Sequence, residues 1–161
     1  MVIVALDVGQ ARIGVAVSDD LGLIATPLSV IPRRSNAQAI AAIQRIVRDE
    51  DAGLVVAGLP VSFDGLLHAQ AHSVQSFAEK LRRALDVPLV YADETLSTVR
   101  AEELLRASGM RPERIRERID AAAAAVILQD YLDERGRSGP TEPTATSHTT
   151  GSSHAENPDG E

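Results

Sequence analysis

The first apolar run of the chain restricts its fold more than any other feature. Residues 2–6 read Val-Ile-Val-Ala-Leu, and Asp7 follows them directly. A strand without a polar side chain on either face is typical of a sheet that helices cover on both sides. The run therefore predicts an α/β protein in which this strand is buried and an acid lies at its carboxyl end.

Four further strands are predicted from apolar segments. Residues 13–17 follow the first strand after a turn so short that the two strands should form an antiparallel hairpin. Residues 23–31 contain Pro27, which favours a position at the edge of the sheet. The fourth and fifth strands are predicted at residues 54–57 and 87–91.

Helical periodicity marks the segments between and after the later strands. Ser35 or Asn36 can cap a first helix, and apolar residues recur at helical spacing again over 74–85. Further helices are predicted at 95–108 and 112–134, the last of them apolar almost all round in its middle and therefore buried. The order of elements predicts a mixed five-stranded sheet, starting with an antiparallel hairpin and flanked by helices.

Composition divides the chain and excludes several classes of function. Residues 136–161 contain two alanines and no larger apolar side chain, which predicts a folded domain at 1–135 and a disordered, polar, acidic tail at 136–161. The net charge of −7 argues against binding nucleic acid through a general positive surface. The absence of cysteine fits a reducing compartment, and the absence of a long apolar run and of a basic signal region predicts neither a membrane span nor a signal peptide.

Acidic residues occur at three points where an acid is costly to bury. Asp7 ends the first strand, Asp93 and Glu94 follow the fifth, and Asp120 precedes the apolar middle of the last helix. If the first and fifth strands are parallel, their carboxyl ends share the sheet edge at which α/β proteins bind ligands. Each acid also has a simpler interpretation, either as a turn residue at Asp7 or as a helix cap at Asp93 and Asp120.

Convergence of the three acids would suit a hard divalent cation, since Mg²⁺ prefers oxygen ligands and completes its shell with water and substrate phosphate. Two such ions about 4 Å apart can activate water and stabilise the leaving oxygen of a phosphodiester. The excess of acid in the composition does not contradict a nuclease, because the charge of a bound metal is not counted in it.

Four motifs, taken in order, resemble the YqgF family, also called RuvX. They are Asp7-Val8-Gly9 with the hairpin up to Ser18-Asp19, Gly58-Leu59-Pro60 with Asp64-Gly65, Asp93-Glu94 with Leu96-Ser97-Thr98, and Asp120-Ala121 with Ile127-Leu128-Gln129. Each motif is weak alone, but together they cover residues 1–133 with the family's spacing.

The resemblance implies a ribonuclease H-like fold and a metal-dependent nuclease of the bacterial cytoplasm, without a membrane partner. By motif position the acidic triad falls on Asp7, Glu94 and Asp120, with Asp93 as the alternative to Glu94 and Mg²⁺ or Mn²⁺ as the cofactor. The implied substrate is structured RNA, in the maturation of the 5′ end of pre-16S ribosomal RNA. A four-way DNA junction is the second choice, because the family was first described as Holliday junction resolvases.

Basic residues near the acids are expected to contact the phosphate backbone of the substrate. The family often has a basic residue before Arg12 and usually an arginine after the Asp-Glu pair, but this chain has Ala11 and Thr95 there. Arg12 is predicted to bind phosphate together with a cluster that leads into Asp120, namely Arg106, Arg111, Arg114, Arg116 and Arg118. A solvated helical face paired with neighbouring glutamates explains the cluster equally well.

Other interpretations stay open at this point. A non-catalytic nucleic-acid-binding or protein-binding module would fit the acidic charge and the two missing basic positions, whereas the three acids favour catalysis. His68 and His72 have helical spacing but lack an evident third ligand, which predicts surface histidines. Residues 61–69 are predicted as a loop, either a flap over the substrate or an ordinary exposed turn. The chain could act as a monomer or as a homodimer.

Overall fold

The elements of the fold are defined by a computed structural model, which describes residues 1–60, 68–94 and 97–138. The strands are β1 (Val2–Val8), β2 (Arg12–Ser18), β3 (Ala25–Pro32), β4 (Ala52–Pro60) and β5 (Leu89–Glu94). The helices in these ranges are α1 (Asn36–Asp49), α2 (His68–Ala84), α3 (Ser97–Ala107) and α4 (Pro112–Ser138). Most of the predicted loop at 61–69, the predicted Asp64-Gly65 turn and residues 139–161 of the predicted tail lie outside the described residues.

The strands form one five-stranded sheet in the order β3-β2-β1-β4-β5. β1 is antiparallel to β2, and β2 is antiparallel to β3. β4 is parallel to both β1 and β5, so the first and fifth strands run in the same direction. The mixed sheet, the hairpin start and the edge position of the third strand are therefore confirmed.

The uninterrupted apolar sequence of β1 reflects two separate cores. Val4, Leu6 and Val8 belong to the core between the sheet and helices α1 and α2. Ile3 and Ala5 belong to the core on the opposite face, against α4. Burying a Val, Leu or Ile side chain contributes roughly 1.5–3 kcal/mol, and helices on both faces of this strand keep these side chains from water.

Helix α4 is apolar on several sides because it lies between the sheet and α3. Ala124, Ile127 and Leu128 pack against the sheet. Ala122 and Ala123 pack instead against Ala101 of α3. The prediction of a buried last helix is confirmed, and its small residues allow close approach on two sides.

Local capping signals agree with the structure. The Ser35 side chain accepts a hydrogen bond from the backbone nitrogen of Gln38 and caps α1. Gly109, just after α3, has a φ of 79°, a left-handed conformation that glycine adopts without strain.

Several strands and helices extend beyond their predicted bounds, and α2 begins at His68 and not at residue 74. β4 and β5 continue past residues 57 and 91 because their parallel pairing holds the backbone as far as Pro60 and Glu94. β1 continues past residue 6 because it pairs with β2 as far as Val8. Asp7, Asp93 and Glu94 are therefore strand residues and not turn residues. α4 continues to Ser138, so residues 136–138, predicted as the start of the tail, are helical.

No helix among the residues that the structure describes has the length and hydropathy needed to cross a lipid bilayer.

Candidate active site

Asp7 lies near the end of β1 on the face that packs against α4. It follows Ile3 and Ala5 by even numbers of residues, and both of these contact the α4 core. The side chain is half-buried, and its position is paired with Gly14 across the hairpin. An acid in this place is costly to desolvate unless it is paired or binds a cation.

Gly14 brings Asp120 of α4 to the same place. A Cβ atom added to Gly14 would lie 1.9 Å from the carbonyl oxygen of Asp120 and 2.3 Å from its carbonyl carbon. Only glycine therefore permits the α4 backbone to lie directly on β2 at this point. Because Gly14 is the hairpin partner of Asp7, the contact holds Asp120 beside the strand position of the first acid.

Arg12, the first residue of β2, forms an ion pair with Asp120. Its Nε donates a hydrogen bond to Asp120 Oδ2 at 2.7 Å, and the two side chains are 59% and 25% exposed. The residue predicted to bind substrate phosphate therefore contacts one of the predicted metal ligands, 108 residues away in the sequence.

The register of β5 separates Asp93 from Glu94. Position 94 follows Val90 and Ala92, which belong to the core against α4, whereas Asp93 follows Leu89 and Tyr91 of the opposite core. Since side chains alternate along a strand, position 94 is on the same face of the sheet as Asp7. The description of Glu94 is limited to its backbone.

Among the side chains that the structure describes, no three acidic or histidine residues lie close enough together to bind one metal ion. The structure brings Asp7 and Asp120 to one face of the sheet, and the register adds the Glu94 position to that face. The donors are all carboxylate oxygens, which fit a hard divalent cation such as Mg²⁺ or Mn²⁺. The triad and the choice of Glu94 remain predictions.

The arginine cluster lies on the amino-terminal part of α4 and the end of α3. Arg106 forms an ion pair with Glu102, as the solvated-face interpretation expects. The other four arginines are exposed and form no ion pair within the described residues; they are Arg111, Arg114, Arg116 and Arg118.

Among these arginines, Arg116 has the helical position closest to the acids. It precedes Asp120 by four residues, which puts both on one face of α4. With Arg106 it lines a cleft of about 490 Å³ between the end of α3 and the start of α4. Arg118, two residues before Asp120, lines a different cleft beside the edge strand β3.

Two residues of the first motif, Ser18 and Asp19, form hydrogen bonds that stabilise the end of β2 and the turn that follows it, a role that the sequence did not indicate. The Ser18 hydroxyl accepts a hydrogen bond from the backbone of Ile3. Asp19 Oδ1 accepts hydrogen bonds from the backbone nitrogens of Ile24 and Leu23, which hold the pKa of its carboxyl below the usual range. An aspartate at the end of a strand, three residues before a glycine, is the signal that could have indicated this turn.

Gln129 joins the same turn to α4. Its side-chain oxygen accepts a hydrogen bond from the backbone nitrogen of Ala25, and its side-chain nitrogen donates to the carbonyl oxygen of Leu23. His72, by contrast, is exposed on α2, as expected of a surface histidine.

Comparison with known proteins adds the family. A family model described as "RuvX: Holliday junction resolvase" matches residues 1–134. The chain belongs to the RuvX family. A RuvX relative from Chloroflexus aurantiacus, named "Putative pre-16S rRNA nuclease", is 45% identical over 149 residues, covering 92% of this chain and 97% of the relative. A relative of the same name from Synechococcus elongatus is 47% identical over 130 residues, covering 81% of this chain and 87% of the relative.

Solved structures confirm the ribonuclease H-like architecture of this RuvX chain. RuvC of T. thermophilus in complex with a Holliday junction substrate matches with a TM-score of 0.57 at 16% identity, covering 86% of this chain and 97% of RuvC. The fowlpox virus resolvase, in complex with substrate Holliday junction DNA, matches with a TM-score of 0.52 at 10% identity, covering 83% of this chain and 98% of the resolvase. At these identities the likeness concerns the fold alone.

Proposed function

We propose that this RuvX-family chain is a metal-dependent endonuclease that hydrolyses phosphodiester bonds in the 5′ leader of pre-16S ribosomal RNA, in the cytoplasm. The observation that carries the proposal is the close contact of Gly14 with the Asp120 backbone, which holds two acids from opposite ends of the sequence on one face of the sheet. Two carboxylates on one face of the sheet supply the oxygen ligands that a hard divalent cation prefers.

Asp7, Glu94 and Asp120 are the proposed ligands of one or two Mg²⁺ or Mn²⁺ ions. Glu94 is chosen over Asp93 because its strand position belongs to the face of Asp7. The bound cation would supply a Lewis acid for the phosphate and activate the attacking water. The position of Asp7 near the carboxyl end of β1 favours this role, since α/β proteins bind ligands at that edge of the sheet.

The arginines are proposed to hold the backbone of the nucleic acid. Arg12 lies beside Asp120 and would contact the scissile phosphate. Arg116, one helical turn before Asp120 in α4, would contact a neighbouring phosphate. Guanidinium groups suit this role because they donate two parallel hydrogen bonds to phosphate oxygens. Arg106, Arg111, Arg114 and Arg118 would extend the contact away from the acids.

RNA is the preferred substrate because relatives at 45% and 47% identity carry the name of a pre-16S rRNA nuclease. A four-way DNA junction is the second candidate, because the description of the matching family names Holliday junction resolvase. The two substrates share the phosphodiester chemistry of the site and differ in the shape that the arginine cluster would have to follow.

The test compares cleavage of a labelled pre-16S leader RNA and a labelled four-way DNA junction by the full chain. Each substrate is incubated with Mg²⁺, Mn²⁺ or EDTA, and wild type is compared with Asp7→Asn. We expect cleavage of the RNA that needs a divalent cation and is abolished by the substitution. Preferential cleavage of the junction would mean that the substrate is four-way DNA and not leader RNA. Absence of cleavage of both substrates by folded protein would favour a non-catalytic binding module, and cleavage that survives Asp7→Asn would refute the site.

A further inference from the structure

The ion pair between Arg12 and Asp120 is built from one hydrogen bond. Arg12 Nε donates a hydrogen bond to Oδ2 of Asp120 at 2.7 Å. The two terminal nitrogens of the Arg12 guanidinium make no hydrogen bond within the part of the chain that is described. The second pair between an arginine and an aspartate of α4 differs, because Arg100 binds both oxygens of Asp130, at 2.6 and 3.2 Å. The Arg12 contact is therefore the easier of the two to exchange.

The Arg12 side chain can move while its backbone stays fixed. The backbone nitrogen of Gly9 donates to the carbonyl oxygen of Arg12 at 2.9 Å, and Arg12 is also paired with Pro32 in the sheet. The side chain itself is 59% exposed, so solvent and ligands can reach the guanidinium. Exchange of its partner requires only rotation of the side chain.

The proposed function gives these two side chains different partners. Asp120 would bind a cation and Arg12 would bind a phosphate, yet in the structure they bind each other. A guanidinium beside a carboxylate cancels the charge that attracts a divalent cation and repels the cation itself. A phosphate at the site would offer the guanidinium a new anionic partner.

We infer that Arg12 couples cation binding to nucleic-acid binding. Without nucleic acid, its guanidinium holds Asp120 and weakens the affinity of the site for a divalent cation. When a substrate phosphate binds, Arg12 moves from Asp120 to the phosphate, and the negative charge of Asp120 is no longer offset by the guanidinium. Each ligand therefore raises the affinity of the other by the same factor. This inference rests on the proposed function.

The test measures Mn²⁺ binding to the full chain by electron paramagnetic resonance, without nucleic acid. We expect Arg12→Gln to bind Mn²⁺ about fivefold more tightly than wild type, the order of magnitude that one neighbouring exposed charge produces. Arg12→Lys, which keeps the charge, should stay within about twofold of wild type. Arg100→Gln, the matched control on the other pair, should not change the affinity.

A second measurement uses RNA binding. Fluorescence anisotropy of a labelled leader RNA, in EDTA and in Ca²⁺, should show a gain in affinity with Ca²⁺ for wild type and a smaller gain for Arg12→Gln. Equal or weaker Mn²⁺ binding by Arg12→Gln would overturn the inference and make Arg12 a residue that orients Asp120, with the proposed function intact. Absence of Mn²⁺ binding by the wild-type chain would overturn the proposed function, and the inference with it.

Discussion

Replacement of Gly14 by alanine tests how β2 positions α4. The new Cβ atom would lie 1.9 Å from the carbonyl oxygen of Asp120, 2.3 Å from its carbonyl carbon and 2.9 Å from the nitrogen of Ala121. All three are backbone atoms, so no side-chain rotation can relieve the overlap. An ordinary contact begins at 3.4 Å, which means that α4 and β2 must separate by about 1.5 Å.

The separation would disturb the whole contact between α4 and the sheet. Ala124, Ile127 and Leu128 are at most 2% exposed there and would lose close packing as the helix moves. Overpacking by one methyl group usually costs about 1–3 kcal/mol. Because rigid backbone opposes the methyl group here, we expect the free energy of unfolding to fall by about 3 kcal/mol or more, a large part of a typical total of roughly 5–15 kcal/mol.

Urea unfolding followed by far-ultraviolet circular dichroism measures this change. The matched control is Gly136→Ala, also a substitution by alanine but in the last turns of α4, with no atom within 4 Å of the new Cβ. The control should be neutral or gain up to about 1 kcal/mol, because alanine is the better helix former. A Gly14→Ala protein within about 0.5 kcal/mol of wild type would refute the close contact, and with it the placement of Asp120 beside Asp7.

Three further substitutions test smaller parts of the structure. Asp19→Asn should reduce the free energy of unfolding at pH 7. Because folding lowers the pKa of the Asp19 carboxyl, the wild-type protein loses the same contribution below about pH 4. Urea unfolding at a series of pH values from 7 downward should therefore show the stabilities of the two proteins converging. Gln129→Ala removes the hydrogen bonds to Leu23 and Ala25 and should cost about 1–2 kcal/mol in urea unfolding, whereas no change would exclude a fastening role. Arg100→Ala breaks an ion pair with Asp130 whose side chains are 49% and 44% exposed, so the loss should stay below about 1 kcal/mol in the same assay, and a larger loss would contradict a surface role.

The sheet could be predicted from the sequence because its information is local. Continuous apolar residues in β1, the short turn before β2 and Pro27 in β3 each restrict one strand by its own composition. The parallel direction of the first and fifth strands, only a condition at the level of sequence, is known from the pairing of β4 with both of them. The ends of β1, β4 and β5 lie beyond the predicted ones, because hydrogen bonding between strands continues where the apolar pattern stops.

The sequence was enough to predict which residues belong to the site, but not which of them contact each other. The positions of Asp7 and Asp120 before or after apolar segments marked them as candidates. Nothing local indicated that Gly14 admits the α4 backbone or that Arg12 pairs with an aspartate 108 residues away, because both contacts form only when α4 packs on the hairpin. The alternation of β5, visible only once its register is known, distinguishes Glu94 from Asp93.

The central claim is that Asp7, Glu94 and Asp120 hold the catalytic cation, and the most direct test is the rate at which leader RNA is cleaved under single-turnover conditions with Mg²⁺. The variants are Asp7→Asn, Glu94→Gln and Asp120→Asn, with Asp93→Asn as the matched control. Our account predicts that the first three lose at least about a hundredfold in rate, since each removes a charge that holds the cation. Asp93→Asn should stay within about threefold of wild type, because its strand position belongs to the other face of the sheet. An inactive Asp93→Asn beside an active Glu94→Gln, or an active Asp7→Asn, would contradict the account.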